Sequence, residues 1–351
     1  MEIRSSQNGH GSPTALRPQI MAIILMTASC LIISTNLLVA AALAKILLKK
    51  RRQSWCFVLN LAVADTLVGV AITGLAMEDF NTDNGNGTQS RPPNLAAAQG
   101  RGRCLLRMTF VSSPCIASIM SMFLISLDRY AAIKLPLRYA QRSGRGVAAG
   151  ALASLWVCAF ALGFMPVMMP SLQSEEYNGS CEFFSVIYDV GIIILYSVCF
   201  FPVLSVFVYI YLDILKIACT HQQLVALKGK GAGTYAHPTY HHVKALRTVA
   251  LLVGCFLLLW CPFFITCLVK LLCGSCQLTQ LLEGYLFLLG LSNSLINPLV
   301  YAFWQREVRL MLADMFSCCK RRTQGQSGAG GRCIPQLHII TRDNANAKST
   351  N

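Results

Sequence analysis

Charge is scarce in this chain. Only 13% of its 351 residues are Asp, Glu, Lys or Arg, against 54% hydrophobic, and the mean hydropathy is +0.53. That balance excludes an ordinary soluble domain and points to several membrane-crossing helices. Histidine is also sparse, and all six lie outside the apolar runs, which argues against a metal centre. No repeat period is visible. The first nineteen residues, MEIRSSQNGHGSPTALRPQ, lack the basic, apolar, small-residue order of a cleavable signal, so the first apolar run is expected to act as an uncleaved anchor. The sixteen cysteines do not read as a disulfide scaffold, because most sit inside apolar runs, where Cys behaves as a small hydrophobe.

What is present is seven apolar runs, at roughly 20–48, 54–77, 104–133, 147–169, 183–212, 246–269 and 281–303. Each is long enough to cross about 30 Å of hydrocarbon at about 1.5 Å per residue. None shows barrel-like alternation, and backbone groups in lipid must be satisfied within each run, so the runs are helices. The expectation is an all-α membrane protein, a seven-transmembrane helix bundle over residues 20–303. An extracellular N-terminus (1–19) precedes it. An amphipathic membrane-surface helix (304–317) and a disordered cytoplasmic tail (318–351) follow.

Lys and Arg set the orientation. The loops after runs 1, 3 and 5 with the adjoining run ends, together with the tail, hold 23 of the 30 basic residues. The positive-inside rule therefore places the N-terminus outside and the C-terminus in the cytoplasm. The sequons at Asn86 and Asn178 both fall in loops assigned outside, where glycosylation occurs. The excess positive charge faces anionic inner-leaflet lipid, and nucleic-acid binding loses its support. Residues 81–103 read as an extracellular loop and 228–238 as a cytoplasmic one.

Polar side chains inside the runs are few, which makes each informative. Run 1 carries Asn36, run 2 Asp65 at mid-helix, and run 3 Ser118 and a terminal Asp128-Arg129-Tyr130. Run 4 has Trp156, run 5 Pro202, run 6 Trp260-Cys261-Pro262, and run 7 NSLINPLVY with Asn293, Ser294, Asn297, Pro298 and Tyr301. Asp65 is too deep to reach water, so it must find partners or protonate. Asn36, Ser118, Asn293, Ser294 and Asn297 are its plausible partners. The three prolines each remove a backbone donor and kink a helix, although proline is common in membrane helices generally.

This set, in this order from about residue 20 to 316, resembles the rhodopsin-like G-protein-coupled receptors. The resemblance implies a sodium ion at Asp65; a hydrogen-bond network without an ion accounts for the same residues. It implies that Pro202, Pro262 and Pro298 permit two packings of the bundle. It also implies that Asp128 restrains Arg129 until activation, with Pro136 and Leu137 of the next loop meeting the G protein. Relatives often add an acid near the inner start of span 6. That place falls near His242, and 214–250 contains no Asp or Glu. The missing acid should raise the active population without ligand.

Further implications concern the outer side. A Cys104–Cys181 disulfide is implied, and Cys273 and Cys276 could form a second, local one. Amine receptors carry an Asp where this chain has Val111, and opsins a lysine in run 7 where GYLFLLGLSNS has none. The remaining pocket is apolar, with Phe110, Val111, Phe183, Phe184, Trp260, Phe263, Phe264 and Phe287, interrupted by Arg107 and Glu283. An aromatic slot with a polar mouth suits an acyl chain with a small head group, while the same aromatics also suit plain bundle packing. The runs LNLAVADTLVGVAITGL, SCEFFSV, KALRTV and LLGLSNSLINPLVYAFWQREVRL resemble a branch of the family that recognises fatty-acid ethanolamides and lysophospholipids. That branch raises cyclic AMP through the stimulatory G protein. Gly284, Phe287, Asp79 and Pro114 depart from its pattern, near the head-group end.

On the inner edge, Phe303, Val308, Leu312 and Met315 share one helical face, as expected of a helix lying on membrane lipids. Cys318 and Cys319 are candidates for palmitoylation, or are unmodified. The partners implied are a stimulatory heterotrimeric G protein, a lipid-like agonist, membrane lipids and arrestin. The reading is a plasma-membrane receptor and not an enzyme. The alternatives are a receptor for another small ligand, or a seven-helix transporter, for which the spans offer neither a polar pathway nor paired halves.

Overall fold

The computed structural model describes residues 18–50, 53–83, 93–142, 144–174, 181, 183–228, 239–273 and 275–323. Seven helices among them are long and apolar enough to cross a membrane. Span 1 is Pro18–Lys50, span 2 Gln53–Asp83, span 3 Pro93–Lys134 and span 4 Arg145–Met168. Span 5 is Asp189–Lys228 and span 6 Thr239–Leu272. Span 7 is composite: a π-helical turn, Leu281–Leu286, leads into Phe287–Leu291, and the helix resumes at Asn293–Trp304. A short helix, Pro136–Arg142, follows span 3, and a last helix, Arg306–Thr323, follows span 7. No strand occurs among the described residues; one isolated antiparallel bridge joins Gln173 to Ile187.

The bundle is centred on span 3, which touches spans 2, 4, 5 and 6. Its core is built from side chains such as Leu61, Met122, Phe207, Phe256 and Tyr301. Outward residues such as Val157, Val198 and Leu258 are exposed and apolar, as lipid-facing positions must be.

The structure departs from the sequence reading at several helix ends. Span 3 begins at Pro93, eleven residues early, so part of 81–103 is helix, and span 2 runs to Asp83. Pro93 suits a helix start because its missing N–H would find no partner in the first turn. The fifth run does not start as one helix at 183. Phe183–Val186 is a single helical turn, and Ile187 pairs with Gln173 before span 5 begins at Asp189. Phe303 closes span 7 and is exposed, so the buried face of the last helix is Val308 and Leu312 with Met315 beside them.

Each helix runs on through its proline: Pro114, Pro166, Pro202, Pro262 and Pro298 are all interior. Membrane bundles tolerate such positions because neighbouring helices, Ser/Thr side chains and local helix adjustments can satisfy the freed carbonyls.

Candidate functional site

The polar residues of spans 1, 2, 3 and 7 converge on one carboxylate. Asp65 is fully buried and accepts three hydrogen bonds: from Ser118 Oγ at 2.6 Å, Ser294 Oγ at 2.8 Å and Asn297 Nδ2 at 2.9 Å. Asn36 Nδ2 donates to the Ser294 carbonyl at 2.9 Å and so ties span 1 to span 7. Asn293 turns instead to Met122 Sδ at 3.4 Å. The amide oxygens of Asn36, Asn293 and Asn297 are buried without a donor among the described residues. Around Asp65 the carboxylate, the Ser118 and Ser294 hydroxyls and the amide oxygen of Asn297 bring oxygen donors together, the chemistry a hard cation takes. The residues fit such an ion.

A second network joins spans 2, 3 and 4. Asn60 Nδ2 donates to Ser121 Oγ at 2.8 Å, and Trp156 Nε1 donates to Asn60 Oδ1 at 2.9 Å. Asn60 lies in the quoted run LNLAVAD, yet only the Trp156 end was singled out from sequence.

At the inner end of span 3, Arg129 Nη2 lies 2.7 Å from Asp128 Oδ2. Asp128 also accepts from Tyr139 Oη at 2.8 Å. Burial lifts the Tyr139 phenol above its ordinary pKa, so it remains a donor at neutral pH. Tyr130 points elsewhere, donating to Asp213 Oδ2 on span 5 at 2.9 Å. Pro136 and Leu137 open the short inner helix, and Leu137 is 81% exposed. Pro298 and Tyr301 are buried against the core. Tyr139 and Asp213 were missed from the sequence; Asp213 carried a signal, being a lone acid at the end of an apolar run.

On the outer side Cys104 and Cys181 are bonded, as are Cys273 and Cys276. The Gln173–Ile187 bridge and an Arg101 Nη2 to Gln173 Oε1 hydrogen bond of 2.9 Å bind the outer loop down beside span 3. Below it a cavity is lined by Phe183, Ile193, Tyr196, Ser197, Phe263, Phe264 and Cys267. Three of these, Phe183, Phe263 and Phe264, belong to the aromatic set named from sequence; Ile193, Tyr196, Ser197 and Cys267 do not. Val111 and Phe287 pack in a neighbouring cluster with Leu291. Phe287 reaches Phe263 at a centroid distance of 6.3 Å. Arg107 lies one turn past Cys104, and Glu283 lies in the π-helical turn of span 7. Phe110 is corrected: it is 52% exposed and meets Phe164 edge-on, on the outer surface of the bundle. The side chain of Phe184 lies outside the described residues, as do Asn86, Asn178 and the side chains of Cys318 and Cys319.

Trp260 sits at the floor of this region, buried, with Phe263 edge-on and Phe264 tilted against it. Its Nε1 has no partner among the described residues. Gly290 of span 7 presses on the indole: a Cβ there would stand 2.8 Å from Cε3 and Cζ3. Gly290→Ala is expected to cost about 1–3 kcal/mol of stability through overpacking. Adding Trp260→Leu should recover most of that loss in thermal unfolding of the purified protein. An equal loss in the double variant would place the strain elsewhere.

Seven helices around a buried carboxylate network, with an inner Asp-Arg-Tyr, define a seven-helix signalling receptor. Residues 35–301 match the 7 transmembrane receptor (rhodopsin family), and the chain belongs to that family. Over 297 residues it is 44% identical to the glucose-dependent insulinotropic receptor of Homo sapiens, spanning 84% of this chain and 85% of that protein. The Rattus norvegicus receptor of the same name is 43% identical over 297 residues, spanning 84% of this chain and 61% of that protein. The histamine H2 receptor of Rattus norvegicus is 25% identical over 306 residues, spanning 85% of this chain and 79% of that protein. The chain is therefore a G-protein-coupled receptor for a small-molecule ligand, and not an enzyme.

Proposed function

We propose that this receptor binds a lipid amide or lysophospholipid and activates the stimulatory G protein, raising cyclic AMP, with appreciable activity in the absence of ligand. The observation carrying the ligand class is the cavity behind Phe183, Phe263 and Phe264, apolar on most sides and carrying the Tyr196 and Ser197 hydroxyls. Ser197 Oγ is buried and reaches no partner among the described residues. The cavity holds about 10 Å³, so an acyl chain would have to part the Phe183, Phe263 and Phe264 rings as it enters, and its amide or ester would then give the hydroxyl a hydrogen bond. We assign Arg107, Val111, Trp260, Glu283 and Phe287 to the same pocket; Trp260 and Phe287 join it through their ring contacts with Phe263. The absence of an aspartate at Val111 supports a ligand other than an amine. Coupling to the stimulatory class is supported by the likeness to the insulinotropic receptors.

The switch follows from the residues described. A ligand against Phe263 bears on Trp260, two positions before Pro262, where span 6 lacks a backbone hydrogen bond. Span 6 moves against span 7, the Asp65 cluster rearranges, and Arg129 leaves Asp128 for the partner. A sodium ion held by Asp65, Ser118 and Ser294 would supply a positive charge favouring the resting arrangement. We place the N-terminus outside the plasma membrane, with glycans at Asn86 and Asn178. The last helix lies on the inner leaflet, with acyl chains at Cys318 or Cys319.

A cyclic AMP assay in transfected cells tests this reading, with surface expression measured in parallel. Basal output above untransfected cells and a further rise with oleoylethanolamide are expected. Arg129→Ala should abolish both. Phe263→Ala should keep the basal signal and lower agonist potency about tenfold or more, as loss of about 2 kcal/mol of buried aromatic contact predicts. No basal or ligand-driven rise would sink the coupling assignment, and a full response in Phe263→Ala would sink the pocket.

A further inference from the structure

The inner end of span 6 has no acid with which to hold Arg129, since 214–250 contains neither Asp nor Glu. The structure puts a negative charge at the opposite edge of the same opening. Asp213, at the inner end of the apolar part of span 5, accepts the Tyr130 hydroxyl at 2.9 Å on Oδ2. The same oxygen lies 2.8 Å from Lys134 Nζ. Both partners belong to span 3, one directly after Arg129 and the other at the helix's last residue. Spans 3 and 5 are thus tied by one carboxylate oxygen serving two donors.

The tie has an apolar backing. Ile210, one turn above Asp213, is buried and packs against Leu127, Tyr130 and Ile133. The Tyr130 ring meets Tyr209 edge-on at 6.4 Å. Tyr130 is consequently held on both sides, by ring contact and by its hydroxyl. The Asp213 side chain is 20% exposed and that of Lys134 39%, so the pair is partly shielded from water. This arrangement coexists with Arg129 folded onto Asp128. The two acids divide the motif: Asp128 takes the arginine and Asp213 the tyrosine.

We propose that Asp213 is the principal resting-state clasp of this receptor, restraining span 5 against span 3 where span 6 supplies no acid. In the arrangement with Arg129 held, Asp213 has both partners. Separation of the inner ends of spans 3 and 5 breaks both contacts at once, so the clasp favours the closed arrangement by its differential contacts. Its strength is that of a half-exposed ion pair with an added hydrogen bond, enough to shift a two-state population about twofold to fivefold. The basal activity of the receptor is then set at Asp213. The inference rests on the receptor class and not on the ligand or the G-protein subtype.

The test uses full-length receptor in membranes, quantified at the surface, with nucleotide exchange measured on each class of heterotrimer without ligand. Asp213→Asn is expected to raise basal exchange about twofold to fivefold. Tyr130→Phe and Lys134→Gln should each raise it less, and Asp213→Asn combined with either should not exceed Asp213→Asn alone. If Asp213→Asn fails to reach the surface, Tyr130→Phe and Lys134→Gln still carry the test, each with its smaller rise expected. Unchanged or lower exchange in the expressed variants overturns the clasp; a fall would make Asp213 a contact for the G protein instead. Additive effects of Asp213→Asn and Lys134→Gln would also overturn it. Exchange confined to a heterotrimer other than the stimulatory one would refute that coupling and leave the clasp intact.

Discussion

Asp65→Ala is expected to lower thermal stability by about 3 kcal/mol or more, because it strands three donors at once. Ser118 Oγ, Ser294 Oγ and Asn297 Nδ2 all end on this carboxylate in a site without water access. A buried donor left unpaired costs about 1–3 kcal/mol, and the three come from two different helices. Asp65→Asn separates charge from shape. It keeps an acceptor oxygen and the volume, so most of the stability should return. It also removes the negative charge that would hold sodium. Sodium chloride, compared with an equal concentration of N-methyl-glucamine chloride, is therefore expected to depress basal signalling of the unmodified receptor and to leave Asp65→Asn unmoved. Equal melting of Asp65→Ala and the parent protein would show that the network carries little of the fold. Equal salt responses in Asp65→Asn and the parent would remove the ion.

Gly163→Ala is expected to be damaging by a purely steric route. Spans 3 and 4 approach so closely that a Cβ on Gly163 would fall onto Ser113 Oγ and stand 2.9 Å from Ser113 Cα. A flexible side-chain end can give way, but backbone cannot, so the two helices must separate. Overpacking of this kind costs about 1–3 kcal/mol, and Gly163→Val should exceed it. Surface expression measured by an epitope tag is the check, with Gly150→Ala as the comparison, because nothing lies within 4 Å of a Cβ there. Loss in Gly163→Ala with normal expression of Gly150→Ala is expected. Normal expression of both would mean the helices adjust freely.

Much of the architecture was legible because lipid makes composition explicit. Seven apolar runs and a lopsided distribution of Lys and Arg leave few arrangements, and intramembrane polar residues mark their own meeting place. Asp65, Ser118, Ser294 and Asn297 could be grouped from type alone, since a carboxylate in hydrocarbon must be met by donors. Asn293 could not be separated from them in that way. Its side chain lies next in sequence to that of Ser294, but a helix turns about 100° per residue, and it faces Met122. Phe110 was misplaced for a related reason: hydrophobicity does not distinguish a side chain facing a pocket from one facing lipid. Helix ends beyond the membrane were illegible because water imposes no apolar requirement there, so span 3 could start at Pro93 without a hydropathic signal. Asp213 and Tyr139 were hidden by distance along the chain. Each matters through a partner on another element, 83 residues away for Asp213 and 11 for Tyr139.

The length of span 5 gives the inner face a mechanical property. The helix continues unbroken from Asp189 to Lys228 and contains Pro202. Taking about 1.5 Å per residue, Asp213 stands about 16 Å below that proline and Lys228 about 39 Å. A tilt of about 5° at Pro202 would move Asp213 by about 1.4 Å, enough to part a 2.8 Å contact, while the far tip sweeps about 3.4 Å. Span 5 is a lever whose fulcrum is Pro202 and whose catch lies less than halfway along the arm. A partner pushing on the tip would therefore release the catch with a smaller force than one pushing at Asp213 itself.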